Sequence, residues 1–294
     1  MWLPRSDTRR SATLPPVIDL HTHSTVSDGS DAPARIPELA HAVGCRAVAL
    51  TDHDRQDGIA AATARAEELG VELIPGVEIS CEHSGSMHLL VYFLEPGEGP
   101  LQDELVRLQV ARDTRNRRMA DLMAQVGLPV TYQEIIDEAG DTGAGRPHIA
   151  RILVRKGVVA SIQEAFDVWL AKGKPAYVDK DRLAPQDAVR LALASSGVPV
   201  LAHPLSLDLP PAEIESTVSE LATYGLRGLE AIYGRYTPSE RSGIAALARR
   251  NHLVVTGGSD HHGTYKPDLQ VGVGRGDLDV PDSALDDLRE AIPS

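Results

Sequence analysis

Short apolar runs that stop at a histidine, aspartate or glutamate recur along this chain, and they limit what it can fold into. Val17–His21 leads into His21-Thr22-His23, and Ala47–Thr51 into Asp52-His53-Asp54. Val71–Ile79 carries Glu78 at its end, Met87–Leu94 opens on His88, and Val198–His203 closes on His203. Leu253–Gly257 runs into Gly258-Ser259-Asp260-His261-His262. Brief apolar runs bounded by turn signals read as buried strands, and Gly228–Ile232 is another. Helical patterns at Ala32–Val43, Gly58–Leu69, Ala212–Tyr224 and Pro238–Arg250 separate several of them. Strands alternating with helices predict parallel βα units around a barrel or in an open sheet.

One connection breaks this rhythm. The residues between Ile79 and His88 are too few for a parallel crossover, which takes a dozen or more. Ser84-Gly85-Ser86 supplies turn chemistry there. Val71–Ile79 and Met87–Leu94 are therefore expected to pair antiparallel, with Glu78 and His88 facing one site. The middle of the chain has a different texture. Leu101–Val126 reads as a long charged helix, with shorter ones at Tyr132–Ala139, His148–Lys156 and Ile162–Leu170. The expected organisation is a polar tail over 1–16, a barrel built from 17–96 and 183–294, and a helical insertion over 97–182. The bland alternative for the insertion is a packing cap.

Bulk properties exclude several classes. A net charge of −13 argues against a long footprint on nucleic acid, although bound divalent cations can reverse the sign locally around a small anion. No apolar run approaches the roughly 18 residues that span a bilayer, and the tail lacks the apolar stretch of a secretory signal. Cys45 and Cys81 alone make no disulfide framework, so the expected setting is cytoplasmic.

The polar residues at the strand ends carry the chemistry. Residues i and i+2 of a strand point the same way, so His21 and His23 form a ready chelate. Taken alone, a His-x-His could be a surface accident. Asp28, His53, Glu78, His88, His203, Asp260 and His262 converge on the same mouth, since barrel enzymes build their sites at the C-terminal ends of strands. Packing does not explain six such segments. His41, His83, His252 and His261 are given structural roles, the last because its side chain should point away from Asp260 and His262. Hard oxygen plus imidazole suits Zn, Mn or Fe. The set exceeds the coordination of one ion, so two or three divalent ions sharing Glu78 are expected. Such sites generate a metal-bound hydroxide and clamp an in-line phosphoryl displacement.

His21-Thr22-His23-Ser24, Ser27-Asp28-Gly29, Thr51-Asp52-His53, Gly76-Val77-Glu78-Ile79-Ser80, Ala202-His203-Pro204 and Gly258-Ser259-Asp260-His261-His262 resemble, in order, the motifs of the polymerase-and-histidinol-phosphatase (PHP) family. The resemblance covers nearly the whole chain. It implies an α/β fold, a distorted seven-stranded (βα) barrel with a two- or three-metal site. It also implies a partition of ligands: His21, His23, Glu78 and Asp260 on one ion, Glu78, His88 and His203 on a second, and Asp28, His53 and His262 on a third. Amidohydrolases also open with His-x-His, but their bridging group is usually a modified lysine on a strand. None of the five lysines here ends an apolar run.

The insertion narrows the branch. Gly145-Arg146-Pro147-His148-Ile149-Ala150-Arg151 and Lys172-Gly173-Lys174-Pro175-Ala176-Tyr177 look like segments of family members acting on nucleotide phosphates, including 3′,5′-bisphosphonucleotides and short 5′-phosphorylated RNA. The resemblance thus implies a metal-dependent phosphoesterase whose partner is a small phosphorylated nucleotide. Arg146, His148 and Lys174 are its candidate substrate-binding residues. Arg146 offers a planar fork for phosphate oxygens, and His148 could donate a proton or bind phosphate. The structural alternative is that Arg146-Pro147 merely opens a helix. The rival functions are a histidinol phosphatase or other small phosphomonoesterase, an amidohydrolase, and a metal-binding module without catalysis.

Overall fold

Alternation along the strands sets the architecture. In β2 (Cys45–Leu50), Ala47 and Ala49 face one side, Val48 and Leu50 the other, and all four are fully buried. Ala47 and Ala49 join a core with Ile18, Leu20, Ile74, Leu90 and Val200, whereas Val48 and Leu50 pack with Ile36, Ile59 and Ala62. A strand buried on both faces needs a filled interior and a helical coat, which is the solution of an α/β barrel. The structure, a computed structural model, describes residues 17–140 and 144–293, so the expected tail over 1–16 lies outside the described residues.

Seven strands lie side by side in chain order. They are β1 (Val17–Asp19), β2, β3 (Glu72–Cys81), β4 (Met87–Tyr92), β5 (Val198–Leu201), β6 (Gly228–Tyr233) and β7 (Val254–Gly258). β1, β2 and β3 run parallel, as do β5, β6 and β7, while β4 is antiparallel to both its neighbours. The short turn after β3 forces the first reversal, as the sequence predicts, and Ser80 stands opposite His88 in the register. The sheet nearly closes on itself. Leu20 N–H donates to Gly257 O at 3.2 Å and Asp260 N–H to His21 O at 2.9 Å.

Helices α1 (Arg35–Ala42) and α2 (Ile59–Leu69) cover the first strands, and α8 (Pro211–Tyr224) and α9 (Pro238–Arg250) follow the later ones. Gly70, at φ +68, ends α2, and the Thr237–Glu240 capping box starts α9. Two helices escape the periodicity reading. α7 (Pro185–Ala194) packs Ala188 and Val189 on the outer core, and α10 (Ser283–Glu290) sends Ala284, Leu285 and Leu288 into the core that fills the barrel. In α10 only three apolar positions stand among charges, too weak a signal to call a helix.

Between β4 and β5 lie α3 (Pro100–Gln125), α4 (Tyr132–Ala139), α5 (Arg146–Arg155), α6 (Ile162–Ala165) and a π turn at Phe166–Leu170. α3 belongs to two cores. Leu101, Leu105 and Leu108 pack with the barrel's outer layer, while Met119 and Met123 join Ile135, Ile149, Ile152 and Leu170 in a separate cluster. At 1.5 Å per residue this helix is about 39 Å long. It therefore carries the helical segment out over the barrel mouth. Among the described residues, no helix is long and apolar enough to cross a membrane.

Candidate metal centre and its cavity

The nine candidate ligands come from every part of the barrel mouth, and the structure brings them together. Nε2 of His21 and Nε2 of His23 are 3.1 Å apart. Glu78 lies among them: Oε2 is 3.3 Å from His21, 3.1 Å from His23 and 3.3 Å from Nδ1 of His53, and Oε1 is 2.8 Å from His88 and 3.0 Å from His203. Oδ1 of Asp260 is 3.6 and 3.4 Å from the ring nitrogens of His21 and His23, and His262 Nε2 is 3.2 Å from Asp28. Three groups have ligand atoms close enough to share an ion: His23, Asp28, His53 and His262; His21, His23 and Glu78; and His53, Glu78 and His88. His23, His53 and Glu78 each belong to two groups, so the clusters are contiguous.

Divalent ions fit this donor set. Nδ1 of His53 and of His88 are buried and make no hydrogen bond, although Glu78 oxygens are 3.3 and 2.8 Å away. Nitrogen and oxygen lone pairs so placed are oriented to a common point rather than to each other. The other imidazoles have one nitrogen tied and one aimed inward. Nδ1 of His21 meets Glu230 Oε1 at 2.9 Å, Nδ1 of His203 meets Ser206 Oγ at 2.8 Å, and Nδ1 of His262 meets the Asp260 carbonyl at 2.9 Å. Such outer partners fix the tautomer that leaves Nε2 free to ligate. Burial opposes charge on His23, but hydrogen bonds to Asp260 and Glu78 draw it up to about 9. Burial pushes His53 down to about 3. The carboxylates thus draw positive charge towards His23, while burial keeps His53 neutral, the form in which imidazole ligates.

Backbone strain is present at the centre. Asp54, His203 and Asp260 take φ values of 55°, 25° and 58°, which residues other than glycine rarely adopt. Residues held this way cost of order 1–3 kcal/mol and persist where the surroundings over-determine them. Asp19, fully buried, supplies such surroundings by accepting N–H bonds from His21, Ser259 and Gly272. Asp52 accepts from Ser24 and Ser27 at 2.6 Å each and so shapes the loop to Asp28. Gly258 is needed for closeness, since a Cβ there would meet His21 Cβ at 2.4 Å. Pattern reading missed Asp19, Asp52 and Glu230 as supports. Asp19 and Glu230 were findable, because each is a lone acid inside an apolar run, the same anomaly that exposed Glu78.

A cavity of about 650 Å³ separates the centre from the helical segment. Asp28, His53, His88 and His262 form one wall, and Arg112, Arg115, Arg146, His148 and Lys180 the other. Lys174, in contrast, is exposed and does not line this cavity. Asp54 neutralises two of the cations: Arg112 Nη2 donates to its Oδ2 at 2.5 Å and Lys180 Nζ at 2.8 Å. Arg115 and Arg146 have no carboxylate partner among the described residues. Arg115 is buried; among the described residues it donates only to Asn116 Oδ1 at 3.0 Å and leaves Nε unbonded. Burial, and then Arg112, Arg146 and Arg182, push it down to about 10. Arg146 donates to the Leu170 carbonyl at 3.4 Å and lies over the rings of Phe166 and Tyr177. His148 is buried, its Nδ1 accepts the Gly145 N–H at 3.1 Å, and burial pushes it down to about 4. His148 is therefore a neutral imidazole with its proton on Nε2. Arg112 and Arg115 were invisible to pattern reading, because α3 carries Arg on several faces and its orientation is set by packing.

Strand-end His, Asp and Glu groups under a cationic cavity define a metal-dependent hydrolase of anionic esters. Residues 19–172 match the PHP domain, and the chain belongs to that family. It is 31% identical over 249 residues to the 5′-3′ exoribonuclease Rnm of Salmonella typhimurium, covering 84% of this chain and 85% of that one. It is 30% identical over 257 residues to the 3′,5′-nucleoside bisphosphate phosphatase of Chromobacterium violaceum, covering 87% and 90%. A solved structure from Bifidobacterium adolescentis, described as a metal-dependent phosphoesterase, superposes with a TM-score of 0.80 at 28% identity, over 96% of this chain and 98% of that one. The fold agrees with the expected seven-stranded PHP barrel, and the protein is a metal-dependent phosphoric ester hydrolase.

Proposed function

We propose that this enzyme removes a phosphate from nucleosides that carry a second phosphate, with 3′,5′-bisphosphonucleotides as the defining substrates. The wider class is the phosphate esters of nucleotides, which takes in nucleoside monophosphates and short 5′-phosphorylated RNA. The observation that carries this reading is the pair Arg115 and Arg146, two guanidinium groups on the cavity wall with no carboxylate partner among the described residues. Desolvating cations without a counter-ion is costly unless a ligand supplies the anion. An Arg fork matches phosphate oxygens. The names of the two relatives, a bisphosphate phosphatase and an exoribonuclease, support the same class.

The proposed ligands are His21, His23, Asp28, His53, Glu78, His88, His203, Asp260 and His262, for two or three divalent ions of the Mn, Zn or Fe type. When bound, such ions supply Lewis acidity and lower the pKa of water. The chain's own residues do the rest. Arg115 and Arg146 hold the phosphate that is not cleaved. His148 donates a hydrogen bond from Nε2 instead of serving as a protonated acid, since its burial keeps it neutral near pH 7. Segment 97–182 acts as the insertion that completes the substrate site, with Arg115, Arg146, His148 and Lys180 as its contribution. Histidinol phosphate fits poorly, because its amine would meet these same cations. A lysine-bridged amidohydrolase centre is disfavoured because Lys180 and Lys266 are engaged by Asp54 and Asp260.

The test is phosphate release from adenosine 3′,5′-bisphosphate, AMP and histidinol phosphate, with and without a chelator. The bisphosphate should show the highest kcat/KM, and chelation should abolish turnover of all three. A higher value for histidinol phosphate, or full activity in chelated protein, would overturn the reading.

A further inference from the structure

The three candidate ion groups are not built alike. His21, His23 and Glu78 are all buried. The group of His53, Glu78 and His88 is held by strand pairing, since His53 bridges to Glu78 and His88 lies within β4. The group of His23, Asp28, His53 and His262 differs, because it contains an exposed member. The Asp28 side chain is 49% exposed and stands in the loop between β1 and α1, off the sheet. Asp52 ties the near half of that loop through Ser24 and Ser27. The far half, where Asp28 leads into Asp31, needs another anchor.

The loop after β7 supplies it. Ser30 N–H donates to the His262 carbonyl at 3.2 Å, and Thr264 N–H to Ser30 Oγ at 2.8 Å. A side-chain link runs beside them. Nε2 of His261 lies 2.9 Å from Asp31 Oδ2, and its Nδ1 lies 2.9 Å from the Leu269 carbonyl. Both partners are acceptors, so this buried ring is gripped at both nitrogens. The two loops leave no space between them: a Cβ on Gly263 would meet Ser30 Oγ at 2.0 Å and Asp31 Oδ2 at 2.6 Å. His261 stands between Asp260 and His262, and its carbonyl accepts the His23 N–H at 2.9 Å. Its backbone therefore touches three candidate ligands, although its ring belongs to none of the three groups.

We infer that Asp31 and His261 are a positioning pair that decides whether an ion binds among His23, Asp28, His53 and His262, while the ions around Glu78 bind without it. This rests on the reading of the nine residues as metal ligands given above. The pair joins the loop that carries Asp28 to the loop that carries His262, whose Nε2 is 3.2 Å from Asp28 Oδ1. Without it, Asp28 has to be ordered at the moment of binding, and that entropy loss opposes this ion alone. The other two groups draw their ligands from paired strands and already have their spacing set.

Two variants outside the ligand set test this. Asp31→Ala removes the carboxylate, and His261→Phe keeps a ring but removes both nitrogens. Asp28→Asn is the ligand control. Each full-length protein is stripped with a chelator and titrated calorimetrically with manganese chloride, and its metal-free melting temperature is measured. The wild type should take three ions per chain. Each variant should weaken one ion by roughly tenfold or more, the scale for partners of metal ligands, and hold the other two within about twofold. Asp28→Asn should weaken the same single ion. The double variant should be no weaker than the worse single one, because both act through one contact. Wild-type affinities in both variants, additive losses, or equal weakening of all three ions with a lowered melting temperature would overturn the inference. Two ions in the wild type, unaffected by Asp28→Asn, would also overturn it and leave the nucleotide reading standing. A wild type that binds no ion would overturn the metal reading itself, and the inference with it.

Discussion

Oε1 of Glu230 lies 2.9 Å from Nδ1 of His21, and both side chains are fully withdrawn from solvent. The other Glu230 oxygen accepts the backbone N–H of His203 at 2.8 Å, so one carboxylate orients two candidate ligands from opposite sides of the barrel. Outer partners of ligating histidines typically contribute ten- to a hundredfold in metal affinity or activity. Glu230→Gln should therefore weaken metal binding by roughly that factor while the fold persists. Metal titration followed by activity checks it, and wild-type affinity in the variant would sink the orienting role.

Arg115 and Arg146 should separate function from stability. Arg115→Met and Arg146→Ala should each lower kcat/KM on adenosine 3′,5′-bisphosphate by about ten- to a thousandfold, equivalent to ~1.4–4 kcal/mol of lost transition-state stabilisation. Arg115→Met should not lower the melting temperature, because it removes a buried cation that lacks a carboxylate partner. Unchanged turnover, or loss of turnover only through unfolding, would contradict the anion role.

Asp54 ties the helical segment to the barrel. Its carboxylate takes Arg112 from α3, Lys180 from the loop before α7, and the Ser80 N–H at 3.0 Å. Asp54→Ala leaves two largely buried cations unpaired and should cost about 3 kcal/mol or more. Denaturant titration reads this directly, and a loss below about 1 kcal/mol, the scale of a surface pair, would show that the clamp is dispensable.

His148 makes acid stability predictable. Its folded value of about 4 lies below the usual value for histidine, so the unfolded chain binds the proton more readily. The contribution is fully present above pH ~6.5 and is lost as the pH falls through about 4. A depression of this size corresponds to roughly 3 kcal/mol. His148→Gln should flatten this part of the acid limb between pH 7 and pH 4. Unfolding free energies at those two pH values, wild type against variant, decide it, and parallel curves would rule it out.

Much of the centre was legible because its chemistry interrupts a pattern. A strand end that turns from Val and Leu to His21, His53, Glu78 or His203 breaks hydrophobic periodicity, and the break falls where a barrel builds its site. The turn at Ser84-Gly85-Ser86 likewise determined the antiparallel β3–β4 pair, because too few residues remain for any crossover. These features are local, so the sequence alone carries them. What the sequence could not determine is which of many arginines matter. Arg112 and Arg115 lie on a helix with charge on several sides, and only the packing of Leu105, Leu108 and Met119 against two different cores rotates them into the cavity. Lys174 shows the converse: a basic residue in a familiar-looking segment, left exposed outside the cavity by the chain path after the π turn. Candidate ligands follow from residue type and position at strand ends, whereas a cavity wall follows from the orientation of whole elements, which long-range packing alone decides.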